Sequence, residues 1–173
     1  MKLRLALALS LAALLAATAV FAAPAPVQVA LISPAAIIKP DQSVGLLRID
    51  LIYGKNTNVN GLEIGLINHT TGTQTGFTYG VASVVEGSFT GWQDNIVNIA
   101  DKSFLGLQSG AFNRAGEGHG VQFGWINVTD KMSGVQIGIV NYTKVMEKGL
   151  QVGVANVITE GGIPFLPIVN WRF

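Results

Sequence analysis

Hydrophobic and polar residues alternate along most of the chain in a unit that repeats every 14 or 15 residues. The clearest copies are Gly134–Asn141 and Gly149–Asn156, in which every second residue is apolar. Alternation of this kind is typical of a β-strand with one apolar face. The units share a glycine in register, at Gly61, Gly76, Gly91, Gly106, Gly120, Gly134 and Gly149. Degenerate units begin at Leu46 and Ile163, which makes nine units in all.

Each unit also contains a polar segment that resembles a turn. The run Phe89–Ile99 is extended over eleven residues and is followed by Ala100–Ser103. The segments Val85–Ser88 and Thr159–Gly162 carry glycine and charge at comparable places. The sequence therefore predicts a strand of about eleven residues and a four-residue turn, which suits a hairpin connection.

Alternation divides the side chains of each strand between two faces. The apolar face holds Leu62, Ile64, Leu66, Val121, Phe123, Trp125, Val135, Ile137, Ile139, Leu150, Val152 and Val154. The other face is polar and small, and it holds the glycines with Arg48, Asp50, Glu63, Gln93, Gln108, Gln122, Gln136 and Gln151. Asp94 and Ser109 interrupt the apolar face, and the sequence offers no reason for them.

We expect an all-β fold, preferably an antiparallel meander closed as a small up-and-down barrel of about ten strands. Val27–Ile32 would add a tenth strand to the nine units. Leu62 and Leu66 are placed symmetrically about Ile64, so antiparallel neighbouring strands would still pair apolar residues with apolar residues. Two features fit poorly: Pro167 would lie within a strand, and only about three apolar residues per strand face outward.

The alternative fold is a single-stack β-solenoid with about 15 residues per coil. Identical repeats in parallel register would stack the recurring asparagines into a ladder. A closed coil, however, needs apolar residues pointing inward on at least two sides. Thr129–Lys131 and Ala115–Gly118 supply almost none, so the sequence favours the barrel.

The chain begins with features of a cleavable signal peptide. Lys2 and Arg4 precede the apolar run Leu5–Val20, and Val20–Ala22 has small residues suited to cleavage. The run is short for a membrane span, and the prolines of Ala23–Pro26 would break a helix. We therefore predict a signal peptide at residues 1–22, a lead-in segment with the first strand at 23–45, and a repeat β domain at 46–173.

Composition excludes several classes of function. The chain has no cysteine, which removes disulfides, thiolate catalysis and cysteine metal sites. Residues 23–173 carry nine basic and ten acidic side chains, without the basic stripe that nucleic-acid binding requires. We expect no cofactor, no metal and no nucleic-acid partner.

Candidate catalytic or binding residues are sparse. His69 and His119 have no second ligand at metal spacing and are interpreted as exposed turn residues. Gly116–Gly120 is rich in glycine but lacks the strand-to-helix context of a phosphate loop. Asp50 and Glu63 could form an ion-pair network with Arg48, or, less plausibly, a catalytic carboxylate pair. Six aromatic residues suit either a membrane-interface belt or ordinary packing, namely Tyr53, Tyr79, Trp92, Trp125, Tyr142 and Trp171.

Three stretches resemble a family of bacterial surface-repeat proteins of uncharacterised function. They are Leu51–Leu62, the repeated Gly-Val-Gln-Ile-Gly-Ile-Val-Asn, and Pro164–Trp171. The resemblance covers nearly all of the chain after residue 22. It implies export and an envelope or surface location, and it brings no catalytic residues.

These patterns together favour a non-enzymatic bacterial envelope protein, at the outer membrane or cell surface, whose partners are the lipid bilayer or other envelope components. One alternative is a soluble periplasmic or secreted module that binds a partner through a sheet face. A small barrel enzyme that modifies lipids, with serine or histidine chemistry, is the least favoured alternative.

Overall fold

The computed structural model describes residues 23–173, which wind into a β-solenoid. Its strands are β1 (Ala25–Ile32), β2 (Ala35–Ala36), β3 (Val44–Asn56), β4 (Val59–Thr70), β5 (Gln74–Val85), β6 (Ser88–Glu160) and β7 (Phe165–Arg172). At 73 residues, β6 continues through several coils without a break. The predicted signal peptide lies outside the described residues.

Neighbouring coils run in the same direction and are in register. Ile64 of β4 pairs with Ile49 of β3 and with Tyr79 of β5, so equivalent residues of successive repeats lie above one another. The pairs β1–β3, β3–β4, β4–β5 and β5–β6 are all parallel. The preference for an antiparallel barrel is therefore wrong, and the alternative of a solenoid with about 15 residues per coil is confirmed.

We number positions within a coil from its glycine, so that Gly61 is position 0, Glu63 position 2 and Asn68 position 7. This numbering shows that the polar face predicted from the sequence points into the coil. The glutamines at position 2 and the asparagines at position 7 are fully buried, whereas the apolar residues at positions 1, 3 and 5 point outward.

Stacked amides fill this polar interior and satisfy one another. The position-2 glutamines form a ladder in which Gln122 donates to Gln108 at 2.8 Å and accepts from Gln136 at 2.7 Å. The asparagines at position 7 form a second ladder, in which Asn113 donates to Asn127 at 2.8 Å. An unpaired buried amide costs about 1–3 kcal/mol. The ladders offset this cost from Gln93 to Gln151 and from Asn98 to Asn156, where each amide has an identical neighbour one coil away. The coil therefore closes without the second apolar side that the sequence argument required.

One apolar strip runs up the interior beside the ladders. It consists of Val85, Phe89, Ala100, Phe104, Ala115, Met132, Met146 and Ile158, all buried. The strip includes Ala100, which the sequence assigned to a polar hairpin turn. The chain does not reverse at Ala100–Ser103, which lies within β6; it only turns a corner into the next coil.

The repeated glycine at position 0 is required by its backbone conformation and by a close contact. Gly106 has a φ of 127°, which L-residues rarely adopt. A Cβ on Gly106 would also lie 2.1 Å from the carbonyl oxygen of Gly91 in the coil before it. The glycine column thus allows the corners of successive coils to stack in direct contact.

Antiparallel segments cover both ends of the stack. At the start, the short strand β2 folds back on β1, and the side chain of Gln28 exchanges two hydrogen bonds with the backbone of Ile38. At the other end the chain reverses after Glu160, as the turn at Thr159–Gly162 predicted, and β7 pairs antiparallel with the end of β6. Pro167 lies in this terminal strand, where a missing N–H is tolerated.

Candidate functional site

The most prominent surface feature is an apolar wall formed by the outward residues at positions 1, 3 and 5. The wall extends from β3 through β6 and keeps large side chains in water, including Leu66 at 50% exposure, Trp125 at 67% and Val154 at 70%. Coils are spaced about 4.8 Å apart and residues about 3.3 Å, so the wall measures roughly 30 Å by 13 Å. An apolar patch of several hundred square ångströms on a monomer usually marks a binding surface.

The amide ladders explain why the wall faces outward. Alternation places the residues at positions 2 and 3 on opposite sides of the strand. Because the side chain of Gln122 points into the coil and joins the interior ladder, its neighbours Val121 and Phe123 must point outward. Phe123 is accordingly 55% exposed.

A polar pair interrupts the wall at position 3 of two adjacent coils. The hydroxyl of Ser109 donates to Asp94 Oδ1 at 2.5 Å, and Trp92 Nε1 donates to Ser109 Oγ at 3.1 Å. These are the two residues that the sequence left unexplained. The structure joins them into one hydrogen-bonded chain that starts at an indole and ends at a carboxylate.

A groove with a volume of about 740 Å³ opens beside this pair. Its floor is low because Ser109, Gly110 and Ala111 are small, while Phe123 and Trp125 of the next coil are large. The lining residues are Trp92, Asp94, Leu107, Ser109, Gly110, Ala111, Val121, Phe123, Gly124 and Trp125. The sequence indicated Trp92 and Trp125 only as belt or packing residues, because stacking of coils is needed to bring them to one groove.

A second polar cluster is buried inside the first coils. Arg48 Nε lies 3.0 Å from Asp50 Oδ2, and Arg48 Nη2 forms an ion pair with Glu63. Gln74 donates to the other oxygen of Glu63, and Arg48 Nη1 donates to the backbone oxygen of His69 at 3.0 Å. The predicted ion-pair network is therefore present, inside the coil and closed to solvent.

Burial shifts the charge equilibria of this cluster. Burial raises the pKa of Asp50 from 3.8 to about 6, and the attraction of Arg48 offsets this only in part. Burial also lowers the pKa of Arg48 to about 10 against the attraction of Asp50. These shifts reflect the loss of hydration of the charged forms. The cluster contains two carboxylates and one guanidinium without access for a substrate, so its role is structural.

His69 lies near the end of β4 in a chain of side-chain hydrogen bonds. Its Nε2 lies 2.8 Å from Glu86 Oε1, and its Nδ1 lies 2.9 Å from the hydroxyl of Tyr53. A carboxylate only accepts, so Nε2 donates to Glu86, and in the neutral ring Nδ1 accepts from Tyr53. His119 is exposed and lies three coils further along, so the two histidines do not form a joint site.

The other candidate segments have structural places. Within Gly116–Gly120, a Cβ on Gly118 would lie 2.6 Å from both Met132 and Phe104, so this segment packs on the interior strip. Of the six aromatic residues, Tyr79, Trp92 and Trp125 lie on the wall, and Trp171 lies on β7. Tyr53 forms a hydrogen bond with His69, and the hydroxyl of Tyr142 accepts from Thr159 at 3.4 Å.

Across residues 23–173, no three histidine, cysteine or acidic side chains converge as metal ligands. The same residues contain no helix with the length and apolar character to cross a membrane. Comparison of the chain with protein-family models, with curated proteins and with solved structures finds no match in any of the three.

Proposed function

We propose that the chain is a non-enzymatic, exported envelope protein that binds lipid through its apolar wall, at the outer membrane. The observation that carries this proposal is the exposure of large apolar side chains at positions 1, 3 and 5 on successive coils. Burial of such side chains in a lipid phase is favourable by about 25 cal/mol per Å² of apolar area.

The distribution of polar groups supports a lipid surface as the partner. The wall presents side chains of strands whose backbone groups are already paired with the coils above and below, so no unpaired backbone has to enter the apolar phase. Charged residues gather elsewhere on the coils, for example in the exposed ion pair between Lys131 and Glu147, at 3.0 Å. A body with one apolar and one charged side lies at a bilayer interface, and Trp92 and Trp125 are residues that favour this depth.

The location rests on the leader features of residues 1–22 and on the resemblance to bacterial surface-repeat proteins. Export would bring the folded solenoid to the inner leaflet or the outer face of the outer membrane. There the wall could be covered by lipid instead of water.

A vesicle flotation experiment tests the proposal. Purified residues 23–173 should float with vesicles of phosphatidylethanolamine and phosphatidylglycerol. The double variant Leu66→Glu, Ile139→Glu, which places charges on two wall residues at 50% and 53% exposure, should remain at the bottom. The control Thr73→Glu, Thr159→Glu adds the same charge at exposed residues outside the wall and should float as the parent does.

Fractionation of cells provides the second readout. The full chain should be recovered with outer membranes, and the wall variant should be released by a salt-free wash. If the parent protein fails to float with vesicles, or if the wall variant floats equally well, lipid binding through the wall is wrong. The alternative of a soluble module that binds a partner through a sheet face would then be preferred.

A further inference from the structure

The groove beside Asp94 differs chemically from the rest of the wall. Among the outward residues at positions 1, 3 and 5 of the described coils, Asp94 is the single charged side chain. No lysine, arginine or histidine of the described residues forms an ion pair with it. A carboxylate in an apolar surface without a cationic partner is costly, and this cost favours a cationic ligand.

Hydrogen bonds hold this carboxylate in one orientation. Oδ1 of Asp94 accepts the Ser109 hydroxyl at 2.5 Å, and the same hydroxyl oxygen accepts the indole N–H of Trp92 at 3.1 Å. Because the serine proton is used on Oδ1, the negative charge and the remaining acceptor sites of the carboxylate stay available to a donor from the groove. The half-buried setting of Asp94 strengthens an ionic contact relative to one in bulk water.

Aromatic side chains form the other walls of the groove. Trp92, Phe123 and Trp125 line it together with Asp94. The ring of Trp92 is held by an edge contact with Phe77, with the two ring centroids 5.1 Å apart. Aromatic faces attract cations, and tryptophan does so most strongly. A volume of about 740 Å³ is in the range of small-molecule sites.

From this combination we infer that the groove is a binding site for a small organic ammonium ion. Its cationic nitrogen lies against the carboxylate of Asp94, and its alkyl groups lie against Trp92, Phe123 and Trp125. A bare metal ion is a poor match, because one carboxylate and one hydroxyl supply too few ligands. This inference uses only the groove and does not depend on lipid binding by the wall.

Titration of residues 23–173 with choline, in the absence of lipid, tests the site. Binding is measured by tryptophan fluorescence and by calorimetry. The neutral isostere 3,3-dimethyl-1-butanol has the same shape without the charge. Choline should bind saturably, and the isostere should bind at least about tenfold more weakly, since the ionic and cation–π contacts together exceed about 1.4 kcal/mol.

Three variants separate the contributions of charge, aromatic face and fold. Asp94→Asn should weaken choline binding about tenfold or more, and Asp130→Asn, which removes an exposed carboxylate outside the wall, should leave binding unchanged. Trp125→Leu keeps an apolar group at a residue that is 67% exposed, so folding should persist while choline binding weakens several-fold through loss of the cation–π contact.

The proposal is overturned if the parent protein shows no saturable choline binding up to about 100 mM. It is also overturned if the parent binds choline and its isostere with equal affinity. Unchanged choline affinity in Asp94→Asn would overturn it as well. Failure of vesicle flotation would not affect any of these results, so the two proposals fail separately.

Discussion

Gly54 lies so close to Asp50 that a Cβ built on Gly54 would be 1.7 Å from Oδ2 of Asp50. In the next coil the arrangement is exchanged, because Asp50 pairs in register with Gly65 and Gly54 pairs with Asn68. A polar side chain therefore fills the same interior space in both coils. In the first coil it is Asp50, at position 4, and in the next coil it is Asn68, at position 7. The first full coil differs from the repeat by this exchange.

The exchange predicts that two substitutions compensate each other. Gly54→Asn alone should lower the free energy of unfolding by about 3 kcal/mol or more, because two side chains would compete for one space. The double variant Asp50→Gly, Gly54→Asn empties the shared space of the first side chain and should be more stable than the sum of the two single effects predicts. It should remain less stable than the parent, because Arg48 Nε loses its carboxylate partner Asp50. Chemical denaturation of the parent, both single variants and the double variant measures the coupling. Strictly additive effects would show that the two residues do not share the space.

Asp50 should make stability depend on pH with a defined sign. Its pKa is raised from 3.8 to about 6 in the folded chain, so the folded state binds this proton more tightly than the unfolded state. The resulting stability is fully present below pH 4 and is lost as pH rises through 6. A shift of two units corresponds to about 3 kcal/mol.

The pH effect is measured as the difference between the parent and Asp50→Asn, which removes this titration. Denaturation at pH values from 4 to 8 should show the parent losing stability relative to the variant. Arg48, with a pKa of about 10, stays protonated in this window and does not contribute to the slope. A difference that is constant with pH, or one that grows in favour of the parent, would contradict the assignment.

The glutamine ladder should be sensitive to the loss of a single member. Gln122→Leu would leave the amide of Gln136, the hydroxyl of Thr129 and the side-chain oxygen of Gln108 without the partners they have in the ladder. We expect a loss of about 3 kcal/mol in the free energy of unfolding. Thr73→Leu, at an exposed residue, should change stability by no more than about 0.5 kcal/mol. Equal effects in the two variants would mean that the interior amides do not depend on one another.

The terminal strand should prevent end-to-end association. Within β7, Pro167 lacks an N–H and Ile168 has a φ of 70°, and the register with β6 shifts between Gly153 and Asn156. An irregular edge of this kind resists pairing with another chain. Removal of residues 163–173 should expose the regular edge of β6 and cause concentration-dependent association in sedimentation velocity. Removal of Phe173 alone, which is 86% exposed, should leave the protein monomeric, and a monomeric, folded form of the longer truncation would contradict this role.

The sequence by itself determined the repeat length, the strand character of each unit and the division of its residues between two faces. These features are local, because alternation along a strand follows from backbone geometry alone. The glycine column could also be found, since the glycines hold register from Gly61 to Gly149. The charged members of the buried cluster, Arg48, Asp50 and Glu63, were identified correctly, but Gln74 and the closure of the cluster to solvent were not.

The tertiary structure decided the direction of pairing and which face is inside. A unit in which Leu62 mirrors Leu66 is compatible with parallel and antiparallel neighbours, so the pattern could not choose between solenoid and barrel. Gln122 and Asn127 can be buried only because identical amides lie directly above and below them, and this partner arrangement exists only after parallel stacking. The same stacking brings Trp92, Asp94 and Ser109 to the edge of a groove shared with Trp125. Trp92 and Asp94 lie far along the chain from Trp125, and they line one groove only because their coils stack.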